Sequence, residues 1–323
     1  MLARAYWTIA AGRGELRTEQ LPAPGPGEAV IRTLRSGISR GTEGLVNKGA
    51  VPAEVADLMR APFQEGDFPW PVKYGYLNVG VVEEGPEDWR GRRVFSLFPH
   101  QDRYVLPVDA LTPVPDDVPD ERAVLAGTVE TAVNAVWEAA PCFGDRVAVV
   151  GMGMVGASVA ALLSDFPLGR LQVVEVDPDR AALCEQLGLE WTSPDDALDD
   201  CDVVVHCSAS EAGLATALRL AGDDAEVIEV SWFGSKPPQV PLGGEFHARR
   251  LQIRASQVGA VALVRRHRRT LADRLGHALE ALRDPRFDAL LGEGCDFDDL
   301  PVLMSRLADG EPVAGLCPVV RYP

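Results

Sequence analysis

RVAVVGMGMVG, residues 146 to 156, joins a run of β-branched residues to three glycines. A short apolar run of this kind makes a strand buried on both faces, as in a parallel sheet. An apolar helix, SVAALLSDF, begins at once beyond it. GxGxxG alone is weak, because glycines recur by chance. Between a buried strand and a helix each glycine has a task. Gly151 permits the tight turn, Gly153 lets a pyrophosphate approach the backbone, and Gly156 lets helix and strand pack closely. Met154 and Val155 then open the helix, whose N-terminus carries positive potential for phosphates. The uncharged run 147 to 164 has the hydropathy of a membrane span, but its central glycines argue for this turn.

Downstream, LQVVEVD gives a second strand ending in carboxylates. Glu175 lies about twenty residues past the third glycine, the spacing of a carboxylate that grips the adenosine ribose. Asp177 serves equally if the strand ends later. A carboxylate there repels a 2'-phosphate and favours NAD over NADP, while Arg180 pulls the other way because it can reach a phosphate. RAALCEQLG, CDVVVHCSA, EAGLATALRLA, AEVIEVSWFG and LQIRASQV continue as helix, strand, helix, strand and strand. That alternation means a parallel sheet covered on both faces. Ser208, at the end of the fourth strand, is placed to face the cofactor ribose. An edge strand near AEVIEVSWFG is suited to pairing across a two-fold, so a homodimer is expected.

The first third differs in texture. EAVIRTLRSG, YGYLNVGVVEEG, RRVFSLFP and DRYVLPV are short β-like runs cut by Gly and Pro, which suits a compact β-barrel-like domain. VPAEVADLMRAPFQ predicts a short helix, and DERAVLAGTVETAVNAVWEAA a longer one. The tail is helical and then ends in a strand, CPVVRY. Residues 1–122 are therefore expected to form one domain, rejoined by 260–323, and residues 123–259 the dinucleotide-binding domain.

A formal charge of -17 repels phosphate backbones and anionic lipid, so a small-molecule substrate is expected, with no nucleic-acid or membrane partner. The basic run Arg265–Arg269 reads as a solvated helix face. Six scattered cysteines without a CxxC pair fit reduced thiols in a cytoplasmic protein and no structural zinc lobe. The opening residues lack the apolar run of a signal peptide.

SGISRGTE, YGYLNVGVVEEG, VETAVNAV, GDRVAVVGMGMVG and VVEVDPDR together resemble the medium-chain dehydrogenase/reductase superfamily over nearly the whole chain. The SGISRGTE style is similar to that of the bacteriochlorophyllide dehydrogenase-like branch. The resemblance implies an α/β protein with a GroES-like β-barrel catalytic domain and a Rossmann domain. It implies an NAD(P)-dependent oxidoreductase that moves hydride between nicotinamide and a carbonyl, alcohol or enone. In the zinc alcohol dehydrogenases of this superfamily, a Cys in a Cys-Gly-Thr-Asp-like stretch and a His after a glycine hold the catalytic zinc, and a later Cys or Glu completes the site. Here Arg40 falls at the cysteine, or Ser39 if one residue is inserted. Tyr76 falls at the histidine and Glu130 at the third ligand. Such a set suits Zn²⁺ poorly, because the ion favours thiolate and imidazole. No zinc is expected. The alternatives are a zinc enzyme with atypical ligands and a non-catalytic dinucleotide-binding protein.

Without zinc, a hydrogen-bond donor must stabilise the developing alkoxide. Tyr76 is the first candidate, and Thr42 matches the hydroxyl that relays protons in zinc members. Glu130 is an acid or base if aimed into a cleft, and a helix-start cap otherwise. His100 can shuttle protons, although a histidine between strands reads first as a solvated loop residue. Arg40 can contact a cofactor phosphate or an anionic substrate. Phe63, Trp70 and Trp232 are placed to line an apolar pocket for a large or cyclic substrate, or else to pack a core.

Overall fold

Turn residues divide the first part of the chain into strands that pair antiparallel. β1 (Leu2–Ala10) and β2 (Arg13–Gln20) form a hairpin, and β3 (Glu28–Gly37) leads into α1 (Arg40–Asn47). β4 (Glu65–Gly66), β5 (Val72–Lys73), β6 (Asn78–Glu84), β7 (Arg93–Ser96), β8 (Arg103–Pro107) and β9 (Thr112–Pro113) follow. α2 (Asp120–Ala123) and α3 (Ala126–Ala139) come next, then β10 (Arg146–Val150), α4 (Met154–Leu163), β11 (Arg170–Val174) and α5 (Ala181–Gln186). The chain continues through β12 (Trp191–Thr192), β13 (Cys201–His206), α6 (Glu211–Leu220), β14 (Ala221–Glu229), α7 (Glu245–Ala248), β15 (Gln252–Ala255) and α8 (Leu271–Ala281). It closes with β16 (Leu291–Asp296), α9 (Leu300–Ala308) and β17 (Cys317–Arg321). The structure is a computed structural model and describes residues 1–323.

Two compact units result: Met1–Gly127 with Leu291–Pro323, and Thr128–Leu290. The first holds a four-stranded sheet, β2-β1-β5-β4, and a seven-stranded sheet, β16-β17-β3-β6-β7-β9 with β8 also on β3. β17 pairs antiparallel with β3, so the tail returns to this unit. The second holds a six-stranded parallel sheet in the order β12-β11-β10-β13-β14-β15. β10 lies at its centre, with Val147, Ala148 and Val149 fully buried, as its valine run requires. The direction of strand addition reverses between β10 and β13. Ligands of open α/β sheets bind at the carboxyl ends of strands flanking such a reversal.

Three expectations change and one holds. VPAEVADLMRAPFQ forms a single 3₁₀ turn, Ala53–Val55, instead of a helix. Residues 51 to 63 bury no side chain, so no packing offsets the cost of nucleating a helix there. Residues 260 to 290 belong to the second unit rather than the first. α8, closed at its start by a Thr270–Asp273 capping box, is anchored to α3 through Arg274. The edges of the parallel sheet are β12 and β15, and AEVIEVSWFG begins inside it as the end of β14. Finally, 147–164 is divided into β10, a turn and α4, and no helix is long and apolar enough to cross a membrane.

Candidate functional site

The glycine turn has the geometry its sequence implies. Gly151 has φ +102°, a conformation that side chains rarely adopt, and a Cβ there would stand 2.8 Å from the Ser208 backbone. A Cβ on Gly156 would press on the Gly151 carbonyl and come within 3.2 Å of Cys207 Cβ. A Cβ on Gly153 would meet nothing within 4 Å. That open space is what a close-approaching ligand needs. Gly153 is also the N-cap of α4, and no side chain caps that helix. α6 and α8 differ, since Ser210 and Thr270 cap them. The N–H groups of Gly153, Met154 and Val155 are therefore left for an anion.

Glu175 closes this turn from the end of β11. Its Oε2 accepts from the Met152 N–H at 2.7 Å, and its Oε1 accepts from Val176 and Asp177 N–H at 2.7 and 3.0 Å. Asp177 is turned elsewhere. It caps the 3₁₀ turn Pro178–Arg180 through the Asp179 N–H and lies 3.6 Å from Arg180. Of the two carboxylates, Glu175 is the one on the glycine turn. Ser208 follows β13 beside Gly151, with its Oγ 2.7 Å from His206 Nε2.

In the first unit, α1 and the segment before β6 bring three hydroxyls together. The Tyr76 hydroxyl donates to Ser39 Oγ at 2.7 Å, and the Thr42 hydroxyl lies near enough to favour its ionised form. Ser39 is thus the residue beside Tyr76. Arg40 instead donates to the carbonyls of Val313 and Gly315, at 3.3 and 2.9 Å. Burial is the main force that pushes the Tyr76 phenol up to about 12, aided by the Glu43 carboxylate, while the Ser39 and Thr42 hydroxyls oppose it. Glu43 is buried, accepting from the Ser39 N–H at 2.7 Å and lying 2.9 Å from His100 Nε2. His100 is 1% exposed, with Nδ1 2.7 Å from Ser36 Oγ, so it is not a solvated loop histidine. The Cys317 thiol is pushed up to about 12 by burial first and then by Glu43. The phenol and two hydroxyls around Tyr76 suit a zinc ion poorly, and the nearby Glu43 and His100 are engaged with each other.

Glu130 neither caps a helix start nor opens onto a cleft. It lies within α3, nine-tenths or more buried, with Oε1 accepting from Arg274 Nε and Nη2 at 3.1 and 2.9 Å. Burial raises its carboxyl pKa, and Arg274 opposes the rise. Arg274 also donates to Asn134 Oδ1 and to the carbonyls of Ala260 and Val258, so the pair reads as a fastening of α8 onto α3. Phe63 meets Phe98 at 5.8 Å with the rings tilted, Trp70 joins the Val46–Val72–Tyr74 cluster, and Trp232 is half-buried in the second unit. Glu43, His206 and Glu229 were missed in sequence. Glu43, four residues after Ser39 in SGISRGTE, had the spacing of a helix-start carboxylate, but the two others carry no local signal.

Residues 123–221 match the family described as D-isomer specific 2-hydroxyacid dehydrogenase, NAD binding domain. An L-threonine 3-dehydrogenase from Ruegeria pomeroyi is 24% identical over 134 residues, 41% of this chain and 39% of that protein. The chain thus spans about two fifths of the length of that curated relative. L-Idonate 5-dehydrogenase from Escherichia coli superposes with a TM-score of 0.82 at 13% identity, covering 100% of this chain and 99% of that one. An alcohol dehydrogenase (rspB) from E. coli CFT073, complexed with NADH, gives 0.78 at 15%, covering 99% of both chains. At these identities the likeness establishes the fold alone: a GroES-like β-rich unit and a Rossmann-like parallel α/β unit.

Proposed function

We propose that the protein is an NAD-linked, zinc-independent oxidoreductase acting on a carbonyl-containing small molecule. The observation that carries this reading is the uncapped start of α4 above the open side of Gly153, with Glu175 beside it. Free N–H groups there suit a pyrophosphate, and a carboxylate at the end of the neighbouring strand suits a ribose hydroxyl. Glu175 repels a 2'-phosphate, and Arg180, held at Asp177, is a poor counterweight. NAD is preferred over NADP for that reason.

Bound NADH supplies the hydride. The chain's own part is to polarise the carbonyl and deliver a proton. Tyr76 suits both tasks, because its phenol stays neutral until pH about 12 and so presents a donor at working pH. An alkoxide product is more basic than this phenolate, so proton transfer from Tyr76 runs downhill in the direction of reduction. Ser39 and Thr42 hold the phenol in place, and Glu43 orders Ser39 through its backbone N–H. Zinc chemistry has no part in this scheme, since Tyr76, Ser39 and Thr42 offer only hydroxyls and the nearby His100 imidazole is engaged by Glu43 and Ser36. The edge strand β15 is the natural surface for pairing two copies into a homodimer, and the six free cysteines suit a reducing cytoplasm.

The test is NADH oxidation against a panel of aldehydes, ketones and enones, using purified protein before and after chelation, with metal analysis of the same sample. Turnover that survives chelation, with far less than one zinc per chain, supports the reading. Stoichiometric zinc whose removal abolishes turnover overturns zinc independence, and NADH binding without turnover points to a non-catalytic binding protein.

A further inference from the structure

His206 occupies the last register position of β13, paired with Val150 of β10 on one side and Glu229 of β14 on the other. Residues opposite one another in a parallel sheet share a face, which is why these side chains meet. The ring is fully buried and both nitrogens are engaged. Nδ1 lies 2.6 Å from Glu229 Oε2, and Nε2 lies 2.7 Å from Ser208 Oγ. Glu229 Oε1 accepts from the Ser231 N–H at 2.8 Å. An ionised carboxylate can only accept, so the proton of a neutral ring sits on Nδ1 and Nε2 is a lone pair. Ser208 must then donate inward to the histidine. Ser210 Oγ lies 2.9 Å away and accepts from the Gly213 N–H as the cap of α6, which leaves its own proton for Ser208. Ser208 is half-exposed and stands against Gly151, at the glycine turn.

We propose that Glu229 and His206 are positioning residues that wire Ser208 as a hydrogen-bond acceptor for a sugar hydroxyl of the ligand at the glycine turn. The proposal rests on the dinucleotide reading above. An acceptor wired this way takes a ribose hydroxyl and gives nothing to a phosphate oxygen, which is itself an acceptor. The charged group facing the ring is Glu229 of β14. Ser210 and Gly213 of α6, and Ser231 and Phe233 after β14, are uncharged, and burial holds the Cys207 thiol of β13 protonated.

The test is NADH titration of the full chain by fluorescence at pH 7.5. Glu229→Gln keeps the shape, but its amide donates to Nδ1, moving the ring proton to Nε2 and reversing Ser208. Glu229→Gln and Ser208→Ala should each weaken NADH binding roughly fivefold to tenfold, the scale of one hydrogen bond. The double variant should bind no more weakly than Ser208→Ala alone, because both changes act through one contact. His206→Gln places an amide oxygen near Nε2 that accepts from Ser208, so it should keep parental affinity. Additive losses, or Ser208→Ala at parental affinity, overturn the proposal while leaving the dinucleotide reading intact. No NADH binding by the parent overturns both. If a substitution at Glu229 or His206 unfolds the chain, Ser208→Ala decides alone: parental affinity sinks the idea, and a roughly fivefold to tenfold loss supports it.

Discussion

Two alanine substitutions in one turn should have opposite consequences. At Gly156 an added Cβ would press on the Gly151 carbonyl, standing 3.0 Å from its carbon and closer to its oxygen, and 3.2 Å from Cys207 Cβ. These are mainly backbone atoms of the central strand's exit and cannot swing aside. Overpacking of this kind costs about 1–3 kcal/mol. In a unit of this size each kcal/mol moves the melting temperature by about 2–4 °C, so Gly156→Ala should melt roughly 2–12 °C lower. At Gly153 the Cβ meets nothing within 4 Å, and the backbone is extended at φ −79° and ψ −174°, which any residue adopts. Replacing Gly by Ala at an N-cap costs at most about 1 kcal/mol, so the melt should shift by roughly 4 °C or less. The methyl group nevertheless fills the space kept for a pyrophosphate. Losing one or two charge-assisted hydrogen bonds there weakens NADH binding on the order of tenfold to a hundredfold. Thermal denaturation followed by circular dichroism, together with fluorescence titration of NADH, reads both effects. Parental NADH affinity in Gly153→Ala would refute the cradle, and a parental melt in Gly156→Ala would refute the packing argument.

Tyr76→Phe should lower carbonyl reduction about a hundredfold with little change in NADH affinity, the scale of one lost oxyanion donor, as read by kcat. Since the phenol's pKa is raised, its neutral form prevails below it. The reduction rate should therefore show no loss from this group until pH approaches 12, checked by a pH–rate profile in stable buffers. Arg274→Met leaves Glu130 buried and unpaired and should destabilise the fold by about 3–5 kcal/mol in urea unfolding. Adding Glu130→Gln should recover part of that loss, because the uncompensated charge is gone.

The glycine turn was legible because everything it needs is local. A buried strand, three glycines and an apolar helix lie within twenty residues, and each glycine answers a steric demand visible from its neighbours. Glu175 was legible by spacing, but choosing it over Asp177 needed to see where β11 ends and which carboxylate meets the Met152 N–H. Likewise the choice between Ser39 and Arg40 waited on the Tyr76 contact. Glu130 looked free because its partner, Arg274, is 144 residues away on α8. The same long-range fastening explains the displaced domain boundary, since an amphipathic helix announces a buried face and not what covers it. His206 and Glu229 meet only through the register of two parallel strands, which no short pattern encodes. VPAEVADLMRAPFQ misled because helix-forming residues predict a helix only when one face finds a core.

The most direct test of the account is titration of the chelator-treated full-length protein with NADH and, in parallel, NADPH, followed by nicotinamide fluorescence. Saturable NADH binding, tighter than that of NADPH and unchanged by chelation, is the predicted result. Silence with both nucleotides up to millimolar concentration would contradict it, and the redox assignment would fall as well.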